Sequence, residues 1–144
     1  MADVRWSTAA DDERVMSQTH NTEQEQLSTA RKFAVAGLAA AAAGIIVQIL
    51  GGADYPAIPP GALLLVAAAV LFAIRTRWTP MVGLVIPVFL SIGAVATPNM
   101  RDYLGEPSRA VVFTGTVIQL LGMAAGLVFG VVVVAAIIRK GRRG

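Results

Sequence analysis

Polar residues dominate the first part of the chain, and apolar residues follow in four blocks separated by short polar or proline-containing stretches. Residues 1–28 show no regular apolar spacing, which predicts a flexible polar tail with at most a nascent helix. Trp6, Val15 and Met16 are the anchors if that tail instead orders on a partner. Ser28 or Thr29 is suited to cap the helix that comes next.

The first apolar block runs from about 31 to 50, behind Arg31 and Lys32, and is roughly long enough to cross the hydrocarbon core of a bilayer. A basic start and an apolar centre also suit a signal peptide. The long acidic tail ahead of it, the length of the run and the odd helix count left by removal argue for a retained span. A Gly–Asp–Pro turn follows, and Pro59 or Pro60 should open the second block, at about 59–75. The third spans about 79–97, with Pro87 near its middle as a predicted kink, read as a structural bend with a gating hinge as the alternative. The loop 97–108 holds a candidate helical turn from Asn99 to Leu104, ended by Gly105. The fourth block, about 109–138, exceeds the thickness of a membrane and should tilt or project, and 139–144 form a basic tail.

These blocks predict an all-α integral membrane protein: a four-transmembrane-helix bundle over 29–138 with short loops. An even number of crossings puts both termini on one side. That side carries Arg31, Lys32, Arg75, Arg77, Arg139, Lys140, Arg142 and Arg143, whereas the opposite loops carry only Arg101 and Arg109. Flanking Lys and Arg set topology, so both termini are expected in the cytoplasm. Trp78 then marks the inner interface, and Tyr55 and Tyr103 the outer one.

Composition supports the class. Charged residues make up 15% and hydrophobic ones 56%, where a soluble domain carries about 25% charge. The Ala, Val, Gly and Arg bias, with only two lysines, suits a GC-rich bacterial chain and hence a plasma membrane, as in a bacterial inner membrane. A pI near 10.0 is explained by basic helix flanks, and no pattern for nucleic acid accompanies the charges. The basic C-terminus is expected on anionic lipid headgroups.

Candidate chemistry is sparse. There is no cysteine, and the single His20 lies in the polar tail, so neither thiol catalysis nor a histidine-ligated cofactor within the bilayer is expected. The apolar runs contain no ionisable residue, which proton-coupled transport normally needs. No phosphate-binding loop, zinc-protease motif or nucleophile elbow occurs. The chain is therefore read as no enzyme, without cofactor or metal.

What remains is packing. Gly115, Gly122, Gly126 and Gly130 fall with Gln119 on one face of the fourth block, and Gly37 and Gly44 with Gln48 on one face of the first. Such faces let helix backbones approach closely, either within the chain or against another protein. By depth, Gln48, Ser91 and Gln119 share the outer layer, and Gln48 and Gln119 should meet directly or through water. Helix-packing glue is the simple reading of these polar groups, and a polar ligand or ion site the sharper one. Arg101, Asp102, Tyr103, Glu106 and Arg109 form an outer-loop group that either docks a ligand or partner or ties up its own charges.

Three functions follow as expectations. The first is a non-catalytic accessory or scaffolding subunit packing against a larger membrane complex through small-residue faces. The second is a self-associating pore, channel or holin-like protein. The third is a lipid-binding protein or enzyme using the loop 97–109.

Overall fold

In a computed structural model, which describes residues 3–54, 59–96, 98–105 and 108–142, the chain is all-helical. The helices are α1 (Asp3–Leu50), α2 (Pro60–Ala73), α3 (Thr79–Ala96), α4 (Pro98–Gly105) and α5 (Ala110–Arg142). Over Asp11–Leu50 and Ala110–Arg142, α1 and α5 are each long and apolar enough to cross a membrane. The other apolar helices are shorter: the 14 residues of α2 rise only about 21 Å, against a hydrocarbon core of about 30 Å.

The polar stretch expected as a flexible tail is instead helical from Asp3 onward, continuous with the apolar half of α1. The reason is local. Glu, Gln, Arg and Ala, frequent in this stretch, are good helix formers. A helix extended from one already in place also bears no separate nucleation cost. Residues 11–26 of this extension are all exposed. The side chain of Trp6 lies outside the described residues.

Helix ends follow their sequence signals elsewhere. At the end of α1, Ala53 N–H donates to the Gln48 carbonyl (3.0 Å) and Gly52 N–H to that of Ile49 (3.0 Å). This reciprocal pair requires a left-handed residue, supplied by Gly52 at φ 83. Pro60 opens α2 behind Pro59, where a missing N–H is harmless. Ile74 leaves α2 in an extended conformation, so this helix ends slightly before 75. α3 runs through Pro87, and α5 continues past 138 into the basic residues Arg139, Lys140 and Arg142, which suit the negative end of its dipole.

α1 packs on α5 and α2, α2 on α3, and α3 on α5, so these four close on themselves. Leu38 of α1, Leu65 and Phe72 of α2 and Val133 of α5 are fully buried between them. The turn at 55–58, including Tyr55, lies outside the described residues.

Candidate functional site

The most extensive contact in the molecule is the crossing of α1 with α5, and its residues alternate at spacings of three and four on each helix. Buried positions on α1 include Ala30, Ala34, Gly37, Ala41, Gly44 and Gln48; on α5 they include Val112, Gly115, Gln119, Gly122, Gly126, Gly130 and Val133. Gly37 lies against Gly122 and Gly126, Gly44 against Gly115 and Gln119, and Gly51 against Val112. Ascending numbers on one helix meet descending numbers on the other, so the two run antiparallel.

The approach is backbone to backbone. A methyl added at Gly44 would sit 2.6 Å from both Gln119 N and the Gly115 carbonyl oxygen. One added at Gly37 would sit 2.8 Å from the Gly122 carbonyl oxygen and Gly126 N. One at Gly115 would lie 2.7 Å from the Gly44 carbonyl oxygen, and one at Gly122 2.6 Å from Ala41 N. Gly126 and Gly130 are different: Gly126 receives the Leu38 side chain, and Gly130 receives Phe72 of α2 and Leu84 of α3. All six glycines singled out in the sequence thus pack inside this chain.

Gln48 and Gln119 meet directly in this seam, with Gln48 Nε2 donating to Gln119 Oε1 at 2.6 Å. Both are buried, Gln48 to 1% exposure. A buried amide needs such a partner, since leaving one group unsatisfied costs about 1–3 kcal/mol. Ser91 does not join them. Its hydroxyl lies 2.7 Å from the Pro87 carbonyl one turn back on α3 and 2.9 Å from Met123 Sδ on α5. Thr116, which sequence reasoning passed over, is fully buried beside Gln119 with its hydroxyl donating to the Val112 carbonyl at 2.9 Å. Its place three residues before Gln119, on the glycine face, was the available signal. At the other end of the seam, Phe33 and Phe129 stack with ring centroids 5.0 Å apart.

Arg101, Asp102 and Tyr103 lie on α4, with Asp102 exposed and Tyr103 half-buried; the side chain of Arg101 and the whole of Glu106 lie outside the described residues. Arg109 Nη2 donates to the Gly52 carbonyl at 3.0 Å, tying the α1–α2 turn to the start of α5. Among the described residues no three His, Cys, Asp or Glu side chains come together as metal ligands would.

Opposite this end, where α2 turns into α3, the basic residues gather without acids. Arg31 is half-buried, and its Nε is fully buried without a hydrogen-bond partner. The positive charge of Arg75 acts on it. The Arg77 guanidinium rests on Gly141 near the end of α5. Sequence reading had used these arginines only to set orientation.

The outside of the molecule is strongly apolar. Leu121 is 67% exposed, Phe89 68% and Ile92 67%, with Val82, Val85, Val128 and Val131 beside them along α3 and α5. No protein-family model, curated protein or solved structure matches this chain.

Proposed function

We propose that the chain is a four-span integral protein of the plasma membrane, with both ends in the cytoplasm, serving as a non-catalytic accessory or scaffolding subunit of a larger membrane assembly. The observation that carries the membrane part is the apolar exterior. Large apolar side chains such as Phe89, Ile92 and Leu121 face outward, while the α1–α5 seam inside is lined by Gly and Ala and holds the Gln48–Gln119 pair. Water would penalise that surface, whereas lipid accepts it, and helices then associate through small residues and polar bonds. The short α2 is accommodated by local thinning of the bilayer or by the neighbours that shield its ends.

The subunit role rests on the exposed half of α1. About 40 Å of polar helix continues beyond the apolar block, with residues 11–26 exposed to their surroundings. As an exposed extension of the apolar helix, it offers a partner a long polar surface. The small-residue faces no longer serve as the docking surface, because α1 and α5 occupy each other's glycines. The pore alternative drew on that same face, and no separate observation favours it.

A chain tagged at native level and purified in mild detergent should therefore elute with a defined larger partner. Removing residues 3–26 should release the partner while leaving the membrane-embedded part intact. Elution of the full chain as a solitary monomer would sink the subunit reading, and reporters placing the two ends on opposite sides would sink the topology.

A further inference from the structure

The face of α1 that packs on α5 does not stop where α5 stops. Its buried positions Gly37, Ala34 and Ala30 recur at spacings of three and four. Carried towards the N-terminus, the same spacing passes through Leu27, Glu23, Thr19, Met16 and Asp12. Burial fades along this line: Ala30 is buried, Leu27 half-buried, and every residue from 11 to 26 exposed. The register of the two helices explains the change. Gly37 lies against Gly122 and Gly126, and Gly44 against Gly115 and Gln119, so each step back along α1 is a step forward along α5. On that register Arg142, where α5 ends, falls roughly level with Thr19. Asp12, Val15 and Met16 thus lie past the end of α5, on a continuation of the seam face that α5 leaves uncovered.

The uncovered part is sparse in apolar groups but not empty of them. Val15 is 58% exposed and Met16 64%. The Thr19 hydroxyl lies 2.9 Å from the carbonyl oxygens of both Val15 and Met16, so it is held by its own helix and its methyl group is left to the surroundings. Beside this small patch stand Asp11, Asp12 and Glu13, with Arg14 the one base next to them. Glu23 falls roughly level with the basic end of α5, whereas these three acids fall beyond it. Laying two copies of the face together would set like charges against each other, which opposes self-pairing. A basic helix answers both features: its Lys or Arg meets the acids, and its apolar side chains cover Val15, Met16 and the Thr19 methyl.

We propose that the stretch of α1 from Asp11 to Thr19 is a docking face for one basic amphipathic helix of a partner protein, seated along α1 where α5 leaves off. The proposal deepens the subunit reading given above and rests on it.

The test uses the full chain in nanodiscs of phosphatidylcholine, whose surface carries no net charge to attract the probes. Three fluorescent peptides are titrated by anisotropy: a helical peptide with Leu and Ala on one face and Lys elsewhere, the same pattern with Glu in place of Lys, and a Lys peptide of scrambled order. The ordered Lys peptide should bind more tightly than either of the others by about tenfold or more. Met16→Asp should weaken it by about tenfold. Replacing Asp11, Asp12 and Glu13 together by Lys should reverse the preference, so that the Glu peptide binds more tightly. Mere unfolding of the extension cannot produce a reversal, and helical circular dichroism accompanies every variant.

Equal binding of ordered and scrambled Lys peptides would overturn the helix face in favour of diffuse attraction. The chain has no cysteine, so Met16→Cys gives a single thiol. Efficient disulfide linkage of two chains through it would overturn the basic partner in favour of a second copy. No peptide binding, while removal of residues 3–26 still releases a co-purifying partner, would overturn the docking face and spare the subunit reading. No peptide binding by a chain that also purifies alone would overturn both.

Discussion

Where α1 crosses α5, the atoms in contact are largely backbone; where α2 and α3 meet their neighbours, they are side-chain tips. The first arrangement leaves nothing that can move. Around Gly44 the nearest groups are Gln119 N, Gln119 Cα and the Gly115 carbonyl oxygen, all fixed within helical ladders. Around Gly130 they are Phe72 Cζ at 2.9 Å and Leu84 Cδ1 at 3.0 Å, which can rotate aside. Around Gly83, the Leu71 and Phe72 side chains begin at 3.2 and 3.3 Å, a few tenths of an ångström inside ordinary contact. Tightness in this molecule is thus set by what lies opposite a glycine, not by the glycine itself.

The largest effect should come from breaking the seam. Gly44→Ala and Gly122→Ala should each destabilise the chain by about 3 kcal/mol, the upper part of the range for overpacking, because the added methyl meets backbone on the facing helix. Gly130→Ala should lose only about 1 kcal/mol as Phe72 turns away, and Gly83→Ala less. Unfolding in mixed micelles of rising denaturing-detergent fraction reads the order directly. Similar losses at Gly44 and Gly130 would mean that the seam is looser than its geometry implies.

The same contrast explains what the sequence revealed. Gly37, Gly44, Gly115 and Gly122 repeat at helical spacing, and close packing is the one use that makes such a repeat tolerable in a helix. Their partner, however, is not written in either segment alone, because a small-residue face accepts any equally small face. The choice of α1 for α5 depends on the matching depth of Gln48 and Gln119, which the sequence did supply. The polar half of α1 was illegible for another reason: its residues favour a helix by propensity, and no apolar stripe announces it. The unpaired Nε of Arg31 was hidden as well, since a basic residue at a helix entry looks the same whether its Nε faces water or is buried.

A middle-sized effect should come from the amides. Gln119→Leu takes away one acceptor of Gln48 Nε2 and should cost about 1–2 kcal/mol. Gln48→Leu with Gln119→Leu should cost less than the sum of the single changes, with a coupling of about 0.5–2 kcal/mol. A double-mutant cycle in the same unfolding experiment measures that term. A coupling near zero would assign the pair's contribution to its packed volume and not to its hydrogen bond.

The smallest effect sharpens the comparison from the other side. Gly93 lies on the exposed face of α3, and a methyl added there would meet nothing within 4 Å. With no collision to oppose it, only the helix preference of alanine over glycine remains, worth up to about 1 kcal/mol. Gly93→Ala should therefore stabilise the chain slightly, by a few tenths of a kcal/mol to about 1 kcal/mol, since backbone entropy in the unfolded chain falls while the folded helix gains only a methyl. The measurement is the same unfolding midpoint, compared with Gly44→Ala in parallel. A loss at Gly93 as well would mean that the exposed face of α3 is more closely packed than its geometry implies.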